Sequence, residues 1–197
     1  MGPQDVRLFA DATRLRLFPP LRAVWARVGE QAVVPVTGRN ARRVLFGALN
    51  VRTAHRVILH WPSETSPGAR AFLTELRRRY RSAPTIWLLL DRGPAHTAAP
   101  TRRLAAELGI EFVWLPQQWP ELNAMDQLWR ELKRLVAANR QATSIEDLAQ
   151  QAENWVLGLR PQEALRKAGM LSPRFWLKNL LQSLWRPTSA KMAEGRY

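Results

Sequence analysis

The chain has no cysteine among its 197 residues. That excludes disulfides, a thiolate nucleophile and thiolate–zinc sites, so any metal must be held by oxygen or imidazole ligands. Long apolar runs are missing as well: none approaches the roughly twenty residues a membrane helix needs, and no secretory pattern follows Met1. These absences point to a soluble, cytoplasmic protein with no membrane partner. Acidic residues are scarce, 16 Asp and Glu against 30 Lys and Arg. Lysine itself is confined to Lys133, Lys167, Lys178 and Lys191. A codon bias exchanges Arg for Lys but does not create a net charge of +14. Such an excess favours a polyanionic partner, nucleic acid above all, through phosphate neutralisation and counterion release.

What is present describes a folded domain. Hydrophobic residues make up 46% of the chain, nine Trp included, which argues against disorder, and the length suits one domain with a real core. Val6 to Asp11 reads as a strand with an acid near its end. Val44–Val51 and Val57–Trp61 read as two strands joined across Arg52 to Arg56, forming an antiparallel meander with the first. Ser66 is expected to cap a helix with Pro67 at its first position, running to Arg81 with Phe72, Leu73, Leu76 and Tyr80 inward. Arg70, Arg77, Arg78 and Arg79 lie on its outer face, most simply a solvated surface, though beside an acidic site they could guide phosphate.

Ile86 to Leu90 does not alternate, so it reads as a central strand covered on both faces. Arg92-Gly93-Pro94 breaks that strand and leaves Asp91 at its carboxyl edge, where ligands of open α/β sheets usually bind. A helix through Leu104 and Leu108 stops at Gly109. Ile110 to Leu115 returns as a strand, closed by Pro116. Asn123 is the expected N-cap of an amphipathic helix bearing Met125, Leu128, Trp129, Leu132, Leu135 and Val136. Ser144 and Asp147 open another helix as a capping box, Pro161 to Gly169 forms a short one, and the apolar stretch Leu171 to Trp185 can pack on the body or on another copy. Residues 187–197 are polar and frayed. Residues 21–43, with Trp25, Gly29, Gly38 and a basic excess, suit an extended loop or edge hairpin that could contact DNA.

Asp91 and Asp126 stand with thirty-four residues between them. Taken singly, each has a plain explanation: Asp91 as a turn residue after a strand, Asp126 as the acid of a capping box. Glu121 and Glu131 are alternatives to Asp126, but each lies five residues from it, off its helical face. His55 and His60 have no metal-ligand spacing.

The words Asp91-Arg92-Gly93-Pro94-Ala95-His96, Phe112-Val113-Trp114-Leu115-Pro116 and Pro120-Glu121-Leu122-Asn123-Ala124-Met125-Asp126 resemble, in order and spacing, the catalytic core of DDE transposases of the mariner-like superfamily, in particular their bacterial insertion-sequence branch. Asp11-Ala12-Thr13 is similar to the family's first catalytic word. The resemblance implies a ribonuclease H-like α/β fold: a mixed five-stranded sheet, three antiparallel strands then two parallel, flanked by helices, an order the element pattern also reaches. It implies that Asp11, Asp91 and Asp126 form the catalytic, metal-binding cluster, with His96, Arg92 and Asn123 as accessory candidates. Residues 1–160 would form the catalytic domain, with the basic loop inserted at about 21–43, and 161–197 a C-terminal helical extension and tail.

Three clustered carboxylates repel one another, and hard cations such as Mg²⁺ or Mn²⁺ resolve this with oxygen ligands. Two ions roughly 3.5 to 4 Å apart suit an in-line displacement at phosphorus without a protein nucleophile. The resemblance implies DNA strand cleavage and strand transfer, with element ends and TA-containing target DNA as substrates, and a homodimer as the acting form. Several positions depart from the family pattern. Arg92 replaces an Asn, Asp126 a Glu one methylene longer, and Ala12 a Glu. Only ten residues precede Asp11, so the family's helix-turn-helix region is expected to be absent and supplied in trans or by frameshift. The alternative is a non-catalytic DNA-binding or dimerising remnant; another ribonuclease H-like nuclease, such as a resolvase, ranks below both.

Overall fold

The computed structural model describes residues 4–23, 25–30, 33–34, 36, 38, 40–116 and 119–177. Its five strands are β1 (Val6–Arg16), β2 (Arg42–Asn50), β3 (Arg56–Trp61), β4 (Ile86–Leu90) and β5 (Ile110–Trp114). They lie in the order β3-β2-β1-β4-β5. The first three form an antiparallel meander, and β4 and β5 add in parallel beside β1. This is the mixed arrangement expected from the sequence.

β1 is longer than expected. Its pairing with β4 stops at Phe9 opposite Leu89, but β2 follows it to Arg16 opposite Arg42. Asp11 therefore sits in mid-strand rather than near the end. The arginines at 14 and 16 interrupt the apolar run, yet Leu15 between them and Thr13 and Leu17 on either side are buried, a half-buried alternation that prolongs the strand.

Alternating side chains build two cores. Leu8 and Ala10 face α1 (Ser66–Arg79), α3 (Ala99–Glu107) and the short α2 (Pro94–Thr97) that precedes α3. Phe9 and Leu15 face α4 (Ala124–Leu132), α5 (Ile145–Gly158) and α6 (Pro161–Lys167). Asp11 shares the parity of Phe9, so its side chain belongs to the α4 layer.

Local chemistry sets the ends. Asn50 Oδ1 accepts from Arg52 N and Thr53 N at 2.8 and 3.0 Å, closing the β2–β3 turn. The cap of α1 is Thr65, not Ser66, whose hydroxyl meets Thr101 Oγ1 at 2.9 Å instead, and the helix ends at Arg79 rather than Arg81. Most of its basic face is engaged: Arg77 donates to the carbonyls of Leu108, Tyr80 and Ala83, while Arg78 and Arg79 pair with Glu75. Gly109, at φ +63°, follows α3 in the left-handed conformation that ends helices. Ser144 Oγ accepts from Asp147 N at 3.0 Å at the start of α5.

Of the basic stretch expected at about 21–43, the described residues up to 41 form no strand, and Arg42 and Arg43 already begin β2. The base of that stretch is pinned where Asn139 Oδ1 accepts from Arg22 N at 2.7 Å and Asn139 Nδ2 donates to Arg22 O at 3.0 Å. Beyond α6, Phe175 and Trp176 pack edge-on against Phe9, and Trp176 Nε1 donates to Leu122 O at 3.0 Å. The rest of the 171–185 stretch and the tail lie outside the described residues. Among the described residues, no helix is long and apolar enough to cross a membrane.

Candidate active site

β1, β4 and α4 bring the three acids to one place. Continuing the β1–β4 register two positions past Phe9 and Leu89 sets Asp11 beside Asp91. Asp91 follows Leu90, the last residue of β4, and has the parity of Leu89, which packs in the α4 core. Asp126 lies in the first turn of α4. Together with Ala12, Leu115, Pro116, Trp119 and Asn123, these acids line one cleft of about 390 Å³.

The cleft's electrostatics follow from crowding. Asp11 keeps some surface open to the cleft, but protein atoms close around its carboxyl. Its pKa is raised from 3.8 to about 8, first by burial and then by the negative charges of Asp126 and Asp91; the Ala12 amide opposes this weakly and Glu64 adds to it. Asp126 Oδ2 is buried and lies 2.9 Å from Arg130 Nε, an ion-pair distance without hydrogen-bond alignment. The acids share a cleft without being gathered around one point. Among the described residues, no three Asp, Glu, His or Cys side chains stand as a ready-made ligand set for a single ion. The donors nevertheless suit a hard divalent cation: they are all carboxylate oxygens, mutually repelling and short of hydrogen-bond partners.

The accessory candidates divide. Asn123 lines the cleft; its Oδ1 accepts from Met125 N at 3.0 Å as the N-cap of α4, and its Nδ2 donates to Ala10 O at 2.9 Å. Asp126 thus occupies the capping-box position while Asn123 spends its amide on β1. His96 is buried behind the turn rather than in the cleft. Its ring stands edge-on to Phe46, and a methyl added at Gly93 would be 3.4 Å from both Asp91 Oδ1 and His96 Cδ2. Burial lowers the His96 pKa, against the opposing pull of Asp91 and Glu64, which favours the neutral imidazole. Arg92 turns away: its guanidinium lies 5.9 Å from the centre of the Trp114 ring. Glu121 lines a separate cleft with Trp176, and Glu131 pairs with Arg134 and Lys167.

Sequence reading missed Glu64, close enough to influence both Asp11 and His96 and paired with Arg14 at 3.1 Å. A signal existed, since β3 runs parallel to β1 and β4 and an acid following it must fall at the same sheet edge. Trp119, more than half exposed, was likewise not singled out.

A mixed sheet in this order, with an acid on β1, another just after β4 and a third on an overlying helix lining one cleft, is a ribonuclease H-like fold with an acidic cleft at its strand ends. The chain belongs to the DDE superfamily endonuclease family, whose profile matches residues 6–149. It is 26% identical over 154 residues to the insertion element IS630 uncharacterized 39 kDa protein of Shigella sonnei, covering 78% of this chain and 45% of that protein. Among solved structures it resembles the catalytic domain of Mos1 mariner transposase, with a TM-score of 0.63, 16% identity and coverage of 90% of this chain and 82% of that one. It also resembles the Mos1 transposase paired-end complex with left transposon end, with a TM-score of 0.66, 17% identity and coverage of 90% and 55%. The chain spans about half the length of the IS630 protein and of the Mos1 transposase in that complex.

Proposed function

We propose that this chain is the catalytic domain of a transposase, performing divalent-metal-dependent DNA strand cleavage and strand transfer, with Asp11, Asp91 and Asp126 as its catalytic metal ligands. The observation that carries this reading is the shared cleft: acids from three separate parts of the sequence line it, and the Asp11 pKa is pushed up to about 8 by burial first and then by the charges of Asp126 and Asp91. Two Mg²⁺ or Mn²⁺ ions would supply the positive charge that joins these carboxylates to a phosphodiester, and would acidify the attacking water or 3′-hydroxyl. The similar Mos1 mariner paired-end complexes with Mn and with Mg support this choice of ions.

The chain's own groups frame that chemistry. Asp11, its pKa pushed up to about 8 by burial and by the two other acids, holds its proton at neutral pH and would release it to bind a cation. Gly93 leaves open the space between the Asp91 carboxylate and the buried His96 ring, each 3.4 Å from where a Cβ at position 93 would lie. Leu115, Pro116 and Trp119 make one side of the cleft apolar. With two cations to activate it, water or a DNA 3′-hydroxyl would attack phosphorus directly, without a protein nucleophile, the leaving 3′-oxygen taking up a proton. The +14 charge draws DNA to the domain. The partners on this reading are element ends, TA-containing target DNA, a second copy of the chain and a separately encoded helix-turn-helix region, in a bacterial cytoplasm.

The test is Mn²⁺-dependent nicking of supercoiled plasmid by the purified chain. The expected result is nicking that disappears in Asp91→Ala and Asp126→Ala. Equal nicking by those variants rejects the site, and DNA binding without nicking by the unaltered chain favours the non-catalytic remnant.

A further inference from the structure

The sequence poses a geometric question that the structure answers. Asp126 is one methylene shorter than a glutamate, so it reaches the other two acids only if α4 lies close to the sheet. Gly47 is directly opposite Asp11 in the β1–β2 register. A Cβ built there would fall 2.4 and 2.8 Å from Trp129 Cζ2 and Cη2 and 2.5 Å from Met125 Cε. Carbon atoms do not approach so closely without displacement. Both side chains are on α4, where Met125 immediately precedes Asp126 and Trp129 follows one turn later. Both are buried. The indole occupies the space that any side chain at position 47 would claim.

We infer that Gly47 is a positioning residue: its missing side chain seats α4 against β2 at the depth where an aspartate, rather than a longer acid, completes the cluster with Asp11 and Asp91. Adding a methyl at 47 has few outlets. Met125 can swing its terminal carbon aside, but the Trp129 ring is packed on all sides, so α4 must lift as a unit. Asp126 then withdraws from the cleft with it. A residue chosen by strand propensity at 47 would thus disable a site to which it contributes no atom. Glycine here serves close approach and not an unusual backbone angle.

This inference rests on the acid-cluster reading above. Its test is a double-mutant cycle of Gly47→Ala and Asp126→Glu read by Mn²⁺ affinity in isothermal titration, with circular dichroism melts to confirm folding. In the unaltered background, Asp126→Glu should weaken Mn²⁺ binding about tenfold, because the longer acid overshoots. Gly47→Ala alone should weaken it at least tenfold. The two together should bind Mn²⁺ more tightly than Gly47→Ala alone, the lifted helix now needing the longer reach. Additive losses, or unchanged affinity in Gly47→Ala, overturn the inference. Should Gly47→Ala fail to fold, the cycle is run with Trp129→Leu, which makes room for the methyl and should return the preference to aspartate; a preference for glutamate there overturns the inference. If the unaltered chain binds no Mn²⁺, the acid-cluster reading falls and this inference with it; if it binds and Asp91→Ala does not, only the positioning role is in question.

Discussion

Asn123 joins the start of α4 to the strand that carries Asp11: its side-chain Nδ2 donates to Ala10 O at 2.9 Å, one residue before the acid. The same side chain caps α4 through Met125 N. Because Asn123 is almost wholly buried, neither bond is exchanged cheaply for water. Losing both in Asn123→Ala should destabilise the chain by about 1–3 kcal/mol. Asn123→Ser, which keeps a capping oxygen but not the tie to β1, should fall between. Urea denaturation of the three proteins checks the order.

Asp11 should make the metal-free chain less stable as pH rises, while His55 and His96, whose pKa values burial lowers from 6.5, pull the other way below that pH. Asp11 has a folded-state pKa of about 8 against an ordinary 3.8, so between those values the folded chain holds a proton that the unfolded chain has released. The Asp11 contribution is therefore fully present below about pH 4 and falls by up to about 1.4 kcal/mol per pH unit until about pH 8. Denaturation in EDTA at pH 5 and pH 8 measures the difference. Asp11→Asn should flatten it, and Mn²⁺ should restore stability at the higher pH.

Arg130 competes for the third acid. Its Nε lies 2.9 Å from Asp126 Oδ2, and the guanidinium is half exposed, so the pair itself contributes little, about 0–1 kcal/mol. Removing it should leave the fold intact and tighten Mn²⁺ binding about two- to fivefold at low salt. A calorimetric titration of Arg130→Ala that shows weaker binding would assign Arg130 a supporting role instead.

Arg56 staples the hairpin to α5. Its guanidinium donates to Val156 O, Leu157 O and Leu159 O at the end of that helix and to Ala54 O in the β2–β3 turn. Those helix-terminal carbonyls have no intrahelical donors of their own. Arg56→Ala should cost about 2 kcal/mol, lowering the melting temperature without altering Mn²⁺ affinity, because the staple is remote from the cleft.

The central strands were legible because burial on both faces leaves an uninterrupted apolar run: Ile86 to Leu90 could be little else, and Asp91 had to emerge at its edge. The helix bearing Asp126 was legible for the complementary reason, since a 3.6-residue stripe beginning after Asn123 fixes both its face and its start. β1 was underestimated because arginines at alternate positions hide a strand whose other face is buried. Glu64 and Gly47 escaped attention for one shared reason. Their importance comes from what the sheet sets opposite them, and pairing between distant strands has no local signature in sequence. The turn of His96 away from the cleft and the stacking of Arg92 on Trp114 were equally invisible, as both depend on side-chain direction after a strand ends.

The cluster's capacity to hold cations is tested most directly by anomalous scattering from crystals of the chain soaked in Mn²⁺. The account predicts anomalous density in the cleft, coordinated by Asp11 together with Asp91 or Asp126 and lost in Asp11→Asn. Density found only elsewhere on the molecule, or density in the cleft that Asp11→Asn leaves undiminished, would contradict it.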